Sequence, residues 1–338
     1  MLSCERKEEV LCLKLSIVIP VYNTRDYLPA CLDSVLVLGE QDYEVIVIND
    51  GSTDDSGLIA AGYAARYPEL IRLITTENGG LGAARNVGIE NARGDFLFFL
   101  DSDDRLAPGA LPEMLAELRP ERDMILFDFL SVRPDGTAIE RMPGCGKKGA
   151  LSLASYPALL MEYPSACNKL CRRELFIKSG IRFPGRVWYE DLRTMPKLYL
   201  WTDRIFAVDR AWYQYVTRPG SITKSANLER NLEIIDAADD LVDYYRSMGM
   251  YDRYRDQLGY VSFYNVFLTA SMRVCTADPK SPVLPALREA LLTRFPDFAK
   301  NPYVRTMPAK HKMLTALLLR GRCREAAALM NLKSALKR

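Results

Sequence analysis

The stretch FLFFLDSDDRL, residues 96–106, joins two halves that do not belong together on electrostatic grounds. Phe96 to Leu100 are apolar without a break, and Asp101, Asp103 and Asp104 follow within four positions. A short continuous apolar run bounded by polar residues reads as a strand buried on both faces. Like charges a few ångströms apart repel, and burial strengthens the repulsion. Carboxylates gathered at the end of a buried strand therefore need something to neutralise them.

Outward from this stretch, strand-like and helix-like segments alternate. LSIVIP (15–20), YEVIVIND (43–50), IRLITT (71–76), DFLFFLDSD (95–103) and DMILFDFL (123–130) read as strands. Between them, residues 25–36, 52–67, 80–92 and 108–119 carry apolar residues at helical spacing, with Ser52 as the expected N-cap of the second helix. Strands apolar on both faces that alternate with helices predict a mostly parallel α/β sheet covered by helices. In such sheets ligands bind at the carboxyl ends of the strands. Two polar clusters fall there, Asn49–Asp50 and Asp101–Asp103.

The pattern changes after about residue 130. RPDGT (133–137) reads as a hairpin turn, and PGCGKKG (143–149) as a mobile, basic, Gly-rich loop. Helical segments are expected at 152–162, 168–179, 190–201, 227–247, 251–275 and 283–294, with one strand-like return at 204–216. The division expected is an N-terminal arm (1–14), a catalytic domain (15–220, with halves at 15–130 and 131–220) and a helical C-terminal region (221–338). From Lys310 onward the chain is rich in Lys and Arg, with Glu325 its only acid. Two readings stand for this tail: a basic amphipathic helix on an anionic membrane surface, or a terminal helix packed on the core.

Of the 338 residues, 49% are hydrophobic and 26% charged, an ordinary globular composition, and the formal net charge of +2 gives no basis for a nucleic-acid partner. Glu8 and Glu9 interrupt the N-terminus where a secretory signal would be apolar. The eight cysteines lack metal-ligand spacing and are expected to be reduced, with Cys167 and Cys171 on one helical face. These features predict a cytoplasmic protein. His311 is the only histidine, which leaves little material for a Ser-His-Asp site or a His-based zinc site. GGLGAAR (79–85) half-matches a dinucleotide fingerprint, but Arg85 stands where the third Gly is needed and the motif follows the third strand. RGD (93–95) is expected to be the turn into the fourth strand.

The acidic cluster allows several readings. An EF-hand fails, because Arg105 and Leu106 occupy its fifth and sixth positions. A hydrolytic carboxylate pair is open. Asp104 reads as a cap of the next helix. The remaining reading is a divalent cation bound for a diphosphate. In an extended chain Asp101 and Asp103 share a face about 6.5 Å apart, so one acid holds the cation while the other meets a ribose hydroxyl or metal-bound water. Mg²⁺ or Mn²⁺ commonly takes one or two carboxylates plus phosphate oxygens.

SIVIPVYN (16–23), VINDGSTDDS (47–56), NGGLGAARNVGIENARGDFLFFLDSDD (78–104) and WYED (188–191), in this order and spacing, resemble the family 2 glycosyltransferases. NKLCRRELF (168–176) and RPGSIT (218–223) extend the likeness more loosely toward the bacterial capsule and exopolysaccharide branch. The resemblance implies a GT-A fold, a nucleotide-diphospho-sugar donor, a divalent cation (Mn²⁺ or Mg²⁺) and inversion at the anomeric carbon. It implies a glycan or lipid-linked acceptor and work at the inner face of the cell membrane.

By motif position, Pro20, Val21, Tyr22 and Asn23 would line the nucleotide pocket, Tyr22 against the base. Asp50 would read the base edge, most often uracil; its competing reading is a turn-former. Asp103 would hold the metal, with Asp101 beside it on metal or ribose and Ser102 between them. Gly80 and Arg85 would border the nucleotide or diphosphate, although Arg85 also suits a helix-neighbour acid. Lys169, Arg218 and Ser221 would hold the diphosphate, although Lys169 also suits a helix surface. Asp191 would be the base that takes the acceptor proton, supported by Glu190; the competing reading is a pair of helix N-terminal acids favoured by the dipole. Trp188 is a candidate to stack on a sugar, and Trp212 a packing residue. The alternative function is a glycosyltransferase-like module that binds nucleotide sugar or glycan without turnover.

Overall fold

The computed structural model describes residues 13–37, 42–217 and 227–335. Among the described residues, ten strands and thirteen α-helices follow in chain order: β1 (Leu15–Val21), α1 (Leu28–Ser34), β2 (Tyr43–Asp50), α2 (Ser56–Arg66), β3 (Ile71–Thr76), α3 (Leu81–Asn91), β4 (Phe96–Phe99), β5 (Arg105–Leu106), α4 (Ala110–Glu117), β6 (Met124–Val132), β7 (Ala138–Met142), β8 (Gly149–Leu151), β9 (Lys169–Arg172), α5 (Arg173–Ser179), α6 (Glu190–Leu198), β10 (Ile205–Val216), α7 (Glu233–Ser247), α8 (Tyr251–Ser262), α9 (Ala270–Ala277), α10 (Val283–Arg294), α11 (Pro302–Thr306), α12 (Ala309–Leu319) and α13 (Cys323–Ala335). The chain divides into two compact units that interleave in sequence: 1–150, 166–180 and 204–216 in one, 151–165, 181–203 and 217–338 in the other.

The first unit is built on a sheet with strand order β3-β2-β1-β4-β9-β6-β10-β5. β1 pairs in parallel with β2 on one side and β4 on the other. All seven residues of β1 are buried, as an unbroken apolar run in a parallel sheet should be. Pro20 lies beyond the β1–β4 ladder, which ends at Val18↔Phe99, so its missing N–H costs that ladder nothing. α3 packs against β1 and β2. The approach is so close that a Cβ on Gly88 would stand 2.2 Å from Val18 Cγ1.

Several sequence expectations are corrected here. α2 begins at Ser56, not after Ser52; Asp54 Oδ1 accepts the Ser56 N–H, while the Ser52 N–H goes to Asn49 Oδ1. The helix expected over 168–179 is strand β9 followed by α5, because Lys169–Cys171 fill the gap between β4 and β6 as an antiparallel strand. Cys167 and Cys171 therefore do not share a helical face, and Lys169 is fully buried rather than at a helix surface. The 152–162 segment holds only a 3₁₀ turn, Pro157–Met161. The basic loop is tethered, since Lys148 Nζ and the Gly144 N–H both reach the buried Asp128 carboxylate, at 2.6 and 2.9 Å.

The second unit is helical. α6 packs on α7. α8 runs through a π-helix, Phe263–Thr269, into α9. The basic tail is not one amphipathic helix: it breaks at Gly321 (φ +69°) into α12 and α13, which bury Leu314, Leu318 and Ala326 and pack on the π-helix and α9. No helix among the described residues is long and apolar enough to cross a membrane.

One buried acid ties the strands of the first unit at their amino ends. Glu44 accepts from Ser16 Oγ (2.7 Å), the Arg93 N–H (2.7 Å) and Arg93 Nε (2.9 Å). Ser16 Oγ in turn accepts the Gly94 N–H at 2.9 Å. The RGD tripeptide is thus the turn into β4. Burial alone would raise the Glu44 carboxyl, but the hydrogen bonds from Ser16 and Arg93, with the Arg93 charge, hold it below the usual carboxylate range. A depressed folded value means this stabilisation is full above the unfolded value near ~4.3 and is lost as pH falls through the folded one. Glu44→Gln should lower the melting temperature at pH 7, and the gap to wild type should close below about pH 4. A gap that is constant across an acid titration would contradict this.

Candidate active site

Strand order reverses between β2 and β4 on either side of β1, the switch point at which open α/β sheets bind ligands. The loops leaving β1, β2, β3 and β4 meet at this end of the sheet and are cross-tied. Asn23 adopts φ +52°, a left-handed conformation that Asn tolerates, and its Oδ1 accepts the Thr53 N–H at 2.8 Å. The Thr24 N–H donates to Ser56 Oγ (2.9 Å) and Thr24 Oγ1 to Ser102 Oγ (3.0 Å). Tyr22 stands half exposed beside Asn23, at 49%.

Asp50 ends β2 and is buried. Its two carboxylate oxygens accept the Gly79 and Gly80 N–H groups at 2.7 and 2.9 Å. Gly80, at φ +87°, opens α3. Asp50 therefore braces the loop after β3 rather than its own NDGS turn.

The acidic run does not continue as a strand. β4 stops at Phe99, and the Asp104 N–H closes a turn on the Asp101 carbonyl at 3.0 Å. The extended-chain spacing expected for Asp101 and Asp103 does not apply, and the three acids part company. Asp101 Oδ1 pairs with the buried Arg85 at 3.0 Å, and Cys167 Sγ lies 3.2 Å from its Oδ2. Arg85 thus meets an acid on the β4 loop, not a helix neighbour. Ser102 is buried and Asp103 half-buried. Asp104 is buried and accepts from Tyr213 Oη (2.6 Å) and the Val216 N–H (2.7 Å) on β10. It is no helix cap; α4 opens at Gly109, φ +76°. Burial, and then the charges of Asp103 and Asp101, push the Asp104 carboxyl well above its usual range. The same causes, with Asp104 added, raise the Cys31 thiol.

Asp101 and Asp103 supply hard oxygen donors. Among the described residues no three His, Cys, Asp or Glu side chains form a cage. Two carboxylates in an excess of negative charge fit a divalent cation that completes its shell with water and phosphate oxygens.

Lys169 Nζ is turned to Asn168 Oδ1 at 2.7 Å inside the sheet. Trp212 is buried, with Nε1 on Glu113 at 2.8 Å, as packing predicts. Arg218 and Ser221 lie outside the described residues. Glu190 and Asp191 belong to the second unit, where they form the first turn of α6. The residue before them, Tyr189, has φ +64°. The Arg230 guanidinium covers the Trp188 ring at 4.8 Å. Sequence reasoning did not single out Cys167 or Tyr213 as neighbours of the acids. Nothing local marks Cys167, and Tyr213 is legible only as one position of an alternating strand.

The model of glycosyl transferase family 2 matches residues 16–180. Glycosyltransferase GlyA of Streptococcus pneumoniae is 28% identical over 247 residues, 70% of this chain and 35% of the relative. The chain spans about a third of the length of the first curated relatives it matches. Staphylococcus aureus TarS 1–349, solved in complex with UDP-GlcNAc, superposes with a TM-score of 0.66 at 20% identity, covering 96% of this chain and 92% of that one. Mannosyltransferase PcManGT from Pyrobaculum calidifontis, solved with GDP-Man and Mn²⁺, gives 0.54 at 16% identity, covering 95% and 87%. The likeness shows a shared GT-A type fold.

Arg85→Met should destabilise the protein by about 2–3 kcal/mol, less than the roughly 3–5 kcal/mol that breaking a fully buried pair costs, since 29% of the Asp101 side chain remains exposed. Denaturant unfolding of the variant measures it, and an unchanged curve would show the pair to be energetically neutral.

Proposed function

The chain belongs to glycosyl transferase family 2 through residues 16–180, and from that membership we propose that it moves a sugar, with inversion, from a nucleotide-diphospho-sugar to a hydroxyl of a glycan or lipid-linked acceptor. The observation that carries the reading is the meeting of four cross-tied loops at the sheet's switch point, with Asp50 and the Asp101–Asp103 turn among them. TarS, of the same fold, was solved with UDP-GlcNAc, which supports a uridine nucleotide here. The manganese in PcManGT supports a divalent cation.

In this reading Pro20–Asn23 and Gly80 border the nucleotide, Tyr22 lies against the base, and the remaining acceptor capacity of Asp50 reads the base edge. Asp103, with Asp101 beside it, would hold the cation, which when bound neutralises charge on the diphosphate. Asp191 accepts the proton of the attacking hydroxyl, because an alcohol is a poor nucleophile unless a base relieves it of that proton. Glu190 supports it. The setting proposed is surface-glycan synthesis at the cytoplasmic face of the membrane, where the exposed cations Lys312, Arg320 and Arg324 would meet anionic lipid.

With a panel of UDP-sugars and Mn²⁺, Asp191→Asn should lower turnover about 10²–10⁴-fold and leave nucleotide binding intact. Asp103→Asn should abolish the metal dependence of UDP binding. Wild-type turnover in Asp191→Asn would remove the base assignment, and a wild type that never releases nucleotide would favour a binding module. Replacing Lys312, Arg320 and Arg324 together by Gln should weaken binding to anionic vesicles roughly tenfold or more. Equal binding would refute the membrane contact.

A further inference from the structure

Tyr189 is one of three non-glycine residues at positive φ among the described residues, with Asn23 and Arg186. It sits at φ +64°, ψ +32°, immediately before α6, and its side chain makes no capping hydrogen bond. The left-handed region disfavours a bulky L-residue by about 1–2 kcal/mol. Such a conformation persists only where its surroundings over-determine it. Here they do so from both sides.

On the side-chain side, Arg273 Nη1 donates to Tyr189 Oη at 2.7 Å. Tyr189 Oη donates to Asn231 Oδ1 at 3.2 Å, and Arg273 Nη1 reaches the same oxygen at 3.1 Å, closing a triangle. Asn231 is buried and fixed in turn, its Nδ2 on the Leu228 carbonyl at 3.0 Å. On the backbone side, the Trp188 N–H donates to Glu233 Oε2 at 2.6 Å. Glu233 is held by Arg230 Nε at 2.6 Å, and Arg193, from the first turn of α6, reaches the Glu233 carbonyl at 3.3 Å.

Arg273 stands on α9, directly after the π-helix Phe263–Thr269. Each residue inserted as a π turn rotates the following face by roughly 100°. The irregular segment therefore sets which way Arg273 points. π insertions recur at functional sites.

What these contacts fix is the exit of the chain into Glu190 and Asp191. We propose that Arg273, Asn231 and Glu233 are positioning residues that lock Tyr189 in its left-handed turn and so set the direction in which α6 presents Glu190 and Asp191. The proposal rests on Asp191 as the base. A proton acceptor displaced by about 1 Å can cost on the order of 10²-fold in rate, which is what such a lock protects against.

The test uses the full chain with Arg273→Met, Arg273→Lys and Tyr189→Phe, the last removing a single hydroxyl in case the first does not fold. Amide hydrogen exchange should accelerate about tenfold or more across residues 188–192 in Arg273→Met and Tyr189→Phe, with the C-terminal turn of α6 unchanged. Turnover of UDP-sugars should fall about tenfold or more, with the calorimetric affinity for UDP plus Mn²⁺ unaltered and Arg273→Lys partly restored. The double variant should be no worse than the poorer single one, because both remove the same contact. Unchanged exchange at 188–192 overturns the proposal, as does faster exchange with wild-type turnover. Asp191→Asn separates the two ideas. If that variant is inactive while Arg273→Met turns over normally, the base reading survives and the positioning role falls. If it is active, the base reading fails and the proposal falls with it.

Discussion

Three carboxylates within four residues cannot all be ionised and dry, and much of the first unit can be understood as the means of keeping them apart. Asp101 is matched by the guanidinium of Arg85, which α3 delivers because that helix sits tightly against β1. Asp104 is drawn the other way, into the sheet, where Tyr213 and the Val216 amide bind it and burial favours its protonated form. The turn between them leaves Asp103 half-buried at the end of β4. An array of like charges is thereby divided into one paired acid, one pushed toward neutrality and one left half-buried between them. Hard cations are drawn to this kind of concentration of negative potential.

The fold was legible wherever apolar period and turn chemistry agreed. β1, β2, β3, β6 and β10 fall where unbroken or alternating apolar runs stand, and α3 begins directly after its glycine pair. The errors have physical causes. Lys169–Arg172 reads as helix because an isolated four-residue strand has no period of its own, and only its partners β4 and β6 define it. Ser52 resembles a cap, yet Asn49 captures its amide and the helix starts four residues later. Residues 101–104 read as extended because the apolar run before them does not mark where pairing stops, although Asp and Ser are common turn formers and the chain there closes on Asp101.

At the site, the strand-end acids were visible from position alone, since a parallel sheet concentrates polar residues at its carboxyl ends. Their partners were not. Arg85, Cys167 and Tyr213 lie 16, 66 and 109 residues from the acids they touch. Contacts over such distances belong to the topology, and no local pattern encodes them. Asp50 shows the intermediate case: its turn chemistry could be read, but its grip on Gly79 and Gly80 depends on β3 lying beside β2.

The interleaving of the two units bears on how this protein could be dissected. The family match ends at residue 180, but β10, at 205–216, pairs with both β6 and β5 and supplies the two groups that bind Asp104. A fragment cut at 180 would strip one flank of β6, leaving a long apolar edge open to association with other chains. It would also release a buried carboxylate from its partners. Isolating the first unit therefore calls for splicing 204–216 back across the gap, and expression of a simple N-terminal piece is expected to report on aggregation rather than on the folded unit.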